Sequence, residues 1–241
     1  MDVDIYETDA AAFAAAAELV AETLRAAASR GRATVALSGG RGGHGVTVAL
    51  AARTDMPWDR IEWYWGDERC VPPDDPRSNV RSARESLLGP RGVPAARIHP
   101  PPVELVDPEA IAARYATALD DTVFDAVLLG VGTNGHVASL MPGCRALAAT
   151  VPVAAVSVNE VTEEPLVARV TITPPVLAAA HRVVVVATGA RKAGALAAAL
   201  LGPEDAQRVP AQLVRPSPRV SWIIDRAAAA ELLRDARPVD Q

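Results

Sequence analysis

Of the four histidines in the 241-residue chain, His136 stands in the setting best suited to chemistry. It closes a turn within residues 124–143, FDAVLLGVGTNGHVASLMPG, after Gly130, Gly132 and Gly135. Imidazole matches proton transfer near neutral pH better than other side chains. Glycines cluster where backbone takes positive φ or passes close to a ligand. A catalytic or ligand-holding histidine fits this context; a loop histidine that only satisfies backbone groups is the structural alternative.

Three other clusters carry chemistry. Ser38-Gly39-Gly40-Arg41-Gly42-Gly43-His44-Gly45 lies between the apolar runs 33–37 and 46–52. Strand, glycine loop and helix in that order aim backbone N–H groups at an anion such as phosphate. The loop is neither G-x-G-x-x-G nor a Walker loop, and a flexible turn is the other reading. Asp67, Glu68 and Arg69 follow the strand-like run IEWYW at 61–65. Three charges there normally mark a solvated loop edge. The flanking tryptophans favour partial burial, and beside a sugar site an acid and an arginine could orient a base and hold an anion. Lys192 falls in the first turn of a helix expected over 189–201, where the helix dipole disfavours cations. It either points to solvent or shares an anion with the backbone N–H groups. His99, in a proline-rich connection, reads as structural or solvated. The histidines are scattered, and Cys70 and Cys144 form neither a C-x-x-C nor a zinc spacing, so no metal or cofactor is expected.

The elements that must position these residues follow from periodicity. Residues 9–30 read as a covering helix, with Asp9 as cap and Gly31 as terminator. Strands are expected at 33–37, 61–65, 124–129, 151–158, 169–173, 182–187 and 220–224. Helices are expected at 46–52, from about 78, and at 107–119, 174–179, 189–201 and 227–233. The run 137–141 (VASLM) is helix-compatible, and 160–165 reads as an exposed acidic loop. Alternating strands and helices predict an α/β fold, a mostly parallel central sheet flanked by helices on both faces. No repeat or linker divides it, so one domain over 1–241 is expected. Half of the residues are apolar and the net charge is −5, so bulk charge suggests no nucleic-acid partner. No apolar run approaches the roughly 20 residues that span a bilayer. The acidic N-terminus is not a signal peptide, and two cysteines make no disulfide framework. A soluble cytoplasmic protein is expected; the oligomeric state is not readable.

Four segments together resemble 6-phosphogluconolactonase, within the superfamily that includes glucosamine-6-phosphate deaminase. The stretch FDAVLLGVGTNGHVASLMPG is similar to that family's strand-GxGxDGHxASLFPG signature, and WYWGDERCVPPDDPRSNVRSARESLL to DERxVPxxxxxSNxxxxxxxLL. RVTITPPVLAAAHRVVVVATGARKAGAL and PAQLVRPSPRVSWIIDRAA resemble its later segments, in the right order. The resemblance implies a Rossmann-like fold (NagB/RpiA/CoA transferase-like). It implies hydrolysis of 6-phospho-D-glucono-1,5-lactone to 6-phosphogluconate in the oxidative pentose phosphate pathway. By that resemblance His136 is the general base, Asp67 orients or tunes it, and Arg69 binds substrate oxygens or developing charge. Arg169 and Lys192 hold the sugar phosphate, and Ser38, Gly39 and Gly40 begin the phosphate loop. The DER triplet and the ASLMPG tail favour the lactonase branch over the deaminase.

Two departures stand out. The family loop S-G-G-S-T-P is S-G-G-R-G-G here, so Arg41 or His44 would replace two hydroxyls with charge. Asn134 stands where the family has Asp, counted here among the substrate-site residues; it keeps the hydrogen-bonding shape and loses the charge. These departures motivate one alternative, a non-catalytic or repurposed sugar-phosphate-binding homologue; a deaminase or isomerase of the same superfamily is the other alternative, and the loss of the acid at Asn134 argues against it.

Overall fold

Apolar runs of four to six residues, too short for helices, build the centre of the protein. The computed structural model describes residues 3–215 and 217–235. In chain order its first half holds β1 (Val3–Tyr6), α1 (Asp9–Ala28), β2 (Ala33–Leu37), α2 (Gly40–Ala51), β3 (Ile61–Trp65), β4 (Asp67–Arg69), α3 (Asn79–Ala83) and α4 (Pro108–Leu119). There follow β5 (Ala126–Gly130), β6 (Val153–Val156), β7 (Arg169–Ile172), α5 (Pro174–Ala179), β8 (Val183–Ala187), α6 (Ala193–Leu200), β9 (Val220–Asp225) and α7 (Ala230–Asp235).

Six strands form a parallel sheet in the order β1-β9-β8-β5-β2-β3. Side chains alternate across a strand, so one strand feeds two cores. Val35, Leu37, Ala126, Leu128, Val184 and Val186 pack with α1, α2 and α3 on one face. Ala36, Val127, Leu129, Val183 and Val185 pack with α4 and α6 on the other. The expected α/β arrangement, with helices on both faces, is what the sheet shows. Strand order reverses between β2 and β5, the position at which open α/β sheets leave a crevice beyond their C-terminal ends.

Several local expectations give way. β1 was not foreseen: a four-residue edge strand with an acid, Asp4, and half-exposed apolar residues has no buried face to announce it. The cap of α1 is Thr8, whose hydroxyl accepts from the Ala11 N–H at 3.2 Å, not Asp9. The glycine loop is largely helix, since α2 already begins at Gly40. Two of its glycines are there for close packing. A Cβ on Gly43 would stand 2.0 Å from the Ser38 carbonyl oxygen, and one on Gly45 would meet the Phe13 ring at 2.4 Å. The run 137–141 is not helical: Val137 bridges Val131 and Leu140, and Ala138 has φ +49°.

A second sheet was also unforeseen. It has three antiparallel strands, β4-β7-β6, and packs on the core face with α4. It links to the main sheet through Gly66, which donates to the Leu37 carbonyl and accepts from the Ile172 N–H, each at 2.8 Å. His99 is structural, as expected. Its Nε2 lies 2.8 Å from Glu62, and its ring stacks on Tyr64 at 4.6 Å.

Candidate active site

The DER triplet forms β4, and its alternation sorts the three side chains. Asp67 and Arg69 line a cavity of about 400 Å³ above the C-terminal ends of β2, β5 and β8. Glu68 turns the other way and is 1 % exposed. It accepts from the N–H groups of Arg69, Asn79 and Val80 at 2.7, 2.8 and 2.6 Å, and from the Ser78 hydroxyl at 2.9 Å. A carboxylate on the first N–H groups of α3 satisfies donors that a helix start leaves open. Burial nonetheless pushes the Glu68 carboxyl above its ordinary pKa, against the pull of those donors. The triplet is thus a buried strand rather than a solvated edge.

His136 is set by the turn after β5. Gly132 donates to the His136 carbonyl at 2.8 Å, closing the turn beneath the ring. A Cβ on Gly132 would lie 2.0 Å from His136 Nδ1, so only glycine leaves room for the imidazole. Gly132→Ala is expected to lower kcat by about 10²-fold, the effect of misplacing a reacting group by about 1 Å. Turnover and the unfolding midpoint, measured together, check it: unchanged kcat removes the constraint.

The nitrogens of His136 are distinguished by what surrounds them. Nδ1 lies 2.7 Å from Asn134 Oδ1 and 3.2 Å from Glu163 Oε2. The His136 backbone N–H also donates to Asn134 Oδ1, at 3.1 Å, and Asn134 Nδ2 donates to the Thr162 hydroxyl at 2.8 Å. Both neighbours of Nδ1 are therefore acceptors, and Nδ1 carries the hydrogen. Nε2 has no hydrogen-bond partner among the described residues and is the nitrogen free to take a proton.

The orientation of the histidine differs from the expectation. No hydrogen bond joins Asp67 to His136 among the described residues. Asp67 instead accepts from the Ser139 hydroxyl at 2.6 Å, with Asn79 Nδ2 at 3.4 Å. Asn134 does not line the cavity; it stands behind the ring. The N–H groups of Gly132, Thr133 and Gly135 are already taken by His136, Glu163 and Gly132.

Cations gather on the other walls. Arg69 and Arg169 are directly opposed in the β4–β7 ladder. Like charges so placed are unfavourable. Arg169, 2 % exposed, gives Nη2 to the carbonyls of Glu163 and Pro165 at 2.8 and 2.9 Å. Nε of both arginines is buried without a partner among the described residues. Burial lowers the Arg169 pKa from its ordinary value, against the pull of Asp67. Lys192, at the N-cap of α6, also lines the cavity, and burial depresses its pKa too. Its turn is held by Asp225, whose carboxylate accepts from the Gly189 N–H at 3.0 and 3.1 Å and from Ala228 at 2.8 Å. Ser38, Gly39, Gly40, Arg41 and Gly42 complete the wall at the start of α2. Arg41 sits at the rim, paired with Asp9, whereas His44 lies outside the cavity beside Ser82. Around the cavity, Arg41, Arg69, Arg169, Arg191 and Lys192 outnumber Asp67, Glu163 and Glu164. A locally positive cleft in a chain of net charge −5 attracts an anionic ligand and holds it against that wall.

The structure thus places every expected site residue around the cavity except Asn134, which stands behind the His136 ring, and His44, offered as a substitute in the phosphate loop. It adds Asn79, Asp225 and above all Glu163. Glu163 lies in the loop read as exposed, but is half-buried between His136 and Lys192. The hydrogen bond with His136 brings its carboxyl down to about 2, helped by Lys192 and opposed by burial.

Comparison with known proteins agrees with this architecture. The sequence model of a family described as glucosamine-6-phosphate isomerases/6-phosphogluconolactonase matches residues 7–222. A 6-phosphogluconolactonase of Streptomyces coelicolor is 39 % identical, covering 93 % of this chain and 92 % of that one. One of Synechocystis is 38 % identical over 86 % and 88 %. The solved 6-phosphogluconolactonase of Trypanosoma brucei superposes with a TM-score of 0.83 at 28 % identity, covering 95 % and 98 %. A monomeric glucosamine-6-phosphate deaminase superposes at 0.81 with 22 % identity, a likeness of fold alone.

Proposed function

Because the chain belongs to the glucosamine-6-phosphate isomerase/6-phosphogluconolactonase family, we propose that it hydrolyses 6-phospho-D-glucono-1,5-lactone to 6-phosphogluconate, a step of the oxidative pentose phosphate pathway. The observation that carries the reading is His136, with Nδ1 held by two acceptors and Nε2 free, in a cavity whose far wall is cationic.

In this mechanism Nε2 takes a proton from water as its oxygen attacks the lactone carbonyl. The tetrahedral oxyanion faces the Arg69 guanidinium, whose charge lines the same cavity. Collapse breaks the bond from the carbonyl carbon to the ring oxygen. The imidazolium returns its proton to that oxygen, leaving a carboxylic acid that ionises and a free hydroxyl. Lys192 and the N–H groups opening α2, beside Ser38, hold the phosphate. Arg169 orders the loop that carries Glu163 and adds its charge to the same anion. No residue is assigned to a metal or cofactor.

The test compares 6-phosphogluconolactone with gluconolactone, spontaneous hydrolysis subtracted. A marked preference for the phosphorylated lactone is expected. Binding of 6-phosphogluconate without turnover would instead favour the non-catalytic reading, and ammonia release from glucosamine 6-phosphate the deaminase. Lys192→Ala is expected to raise KM for the phosphorylated lactone about 10- to 100-fold, the scale of one charge-assisted contact. An equal loss on gluconolactone would contradict the phosphate role.

The single-domain reading over 1–241 belongs to the same proposal. It is supported by two cores that share one sheet and by a cavity that draws on segments from Ser38 to Lys192. A cytoplasmic setting is proposed as well, supported by two free cysteines, Cys70 and Cys144. No helix among the described residues is long and apolar enough to cross a membrane.

A further inference from the structure

We infer that Glu163 is a positioning residue for the reaction: its carboxylate is the counter-charge of the imidazolium that forms at His136, a charge Asn134 cannot supply. The inference rests on the lactonase reading above. When Nε2 takes a proton, a cation forms on a side chain only 14 % exposed. A cation with so little water around it needs a fixed negative partner. Asn134 offers only a dipole, and its oxygen is fixed toward the ring by the His136 backbone N–H. Asp67 is turned to Ser139. Among the described residues, Glu163 is the one carboxylate within 4.0 Å of the ring nitrogens, its Oε2 standing 3.2 Å from Nδ1.

The placement of Glu163 is built rather than incidental. The Thr133 N–H and hydroxyl both donate to its carboxylate at 3.1 Å. Arg169 holds its backbone carbonyl at 2.8 Å. Lys192 Nζ lies 3.9 Å from the other carboxylate oxygen, Oε1. The carboxylate therefore stands between two cations and screens the forming imidazolium from the lysine. Its depressed proton affinity keeps it ionised throughout the neutral range. The Asn134 amide fixes the tautomer and Glu163 supplies the charge, so two residues divide what one aspartate beside the ring would do alone.

The division gives a sharp test. Glu163→Gln is expected to lower kcat about 10- to 100-fold, less than the roughly 10⁴ seen when a tautomer is lost, because Asn134 still holds Nδ1–H. KM for the phosphorylated lactone should stay level or fall, since Lys192 loses a competitor for the phosphate. Adding Asn134→Asp to Glu163→Gln returns a carboxylate to Nδ1 by another route and should restore most of kcat. A purely structural role for Glu163 predicts no such rescue. Full activity in Glu163→Gln overturns the inference, as does a loss that Asn134→Asp leaves unrepaired in a double variant that melts like the parent. If the double variant unfolds, the single variant decides, and a rise in KM matching that of Lys192→Ala overturns it. The parent protein is assayed alongside: no turnover there counts against the lactonase reading itself, whereas turnover there with an unaffected variant counts against Glu163 alone.

Discussion

Replacing His136 by alanine is expected to lower kcat for 6-phosphogluconolactone by about 10²–10⁴, the range general bases contribute. The fold should be untouched. The side chain is half-buried, and the turn beneath it is closed by backbone bonds from Gly132 and Gly135 that survive the change. KM should move little, because Lys192 and the start of α2 lie on other elements. That separation makes the result informative. A drop in kcat at constant KM removes an interaction made only in the transition state. The measurement needs an initial-rate assay with the spontaneous reaction subtracted, and circular dichroism to show that the fold persists. Undiminished turnover would move the base elsewhere in the cavity, with Asp67 the first candidate.

Glu68→Ala should instead strike the fold. Three backbone N–H groups and the Ser78 hydroxyl would lose their acceptor in a region with almost no solvent access. Each buried donor left open costs about 1–3 kcal/mol, part of it recovered if water enters the space. A net loss of about 3–5 kcal/mol is expected, a large share of the stability of a typical domain. Equilibrium urea unfolding measures it. Activity should fall as well, since Glu68 anchors β4 to α3 and β4 carries Asp67 and Arg69. A loss below about 1 kcal/mol, ordinary for a surface substitution, would mean that the carboxylate is dispensable.

The parallel sheet was legible because most of its strands are predominantly apolar, β1 excepted. ATVAL, IEWYW and VVVVA are short, rich in β-branched or aromatic residues, and suit buried strands of such a sheet. Two strands of the small sheet, β6 and β7, were expected; the sheet they form was hidden because β4 is written in charges, and burial of a carboxylate at Glu68 is a tertiary event with no local periodicity. The segment 137–141 has helical composition, but pairing of Val137 with Val131 and Leu140 overrides it. At the site, His136 stood out by its loop glycines, Arg69 by its place at a strand's end, and Lys192 by a helix start that left it between solvent and an anion; the family resemblance supplied their expected roles. Glu163 could not be. Its neighbours in sequence are acidic and polar, and only the fold of β7 back onto β4 carries it to the imidazole.

The cavity takes its walls from Ser38 at one end of the sequence order to Lys192 at the other, and Asp225 fastens the last of them. A chain emerging from the ribosome therefore has nothing resembling a working centre until β8 and β9 have left the exit tunnel. Early termination yields no partly competent enzyme, only half of a crevice. Acquisition of the activity waits on synthesis of the chain through β9.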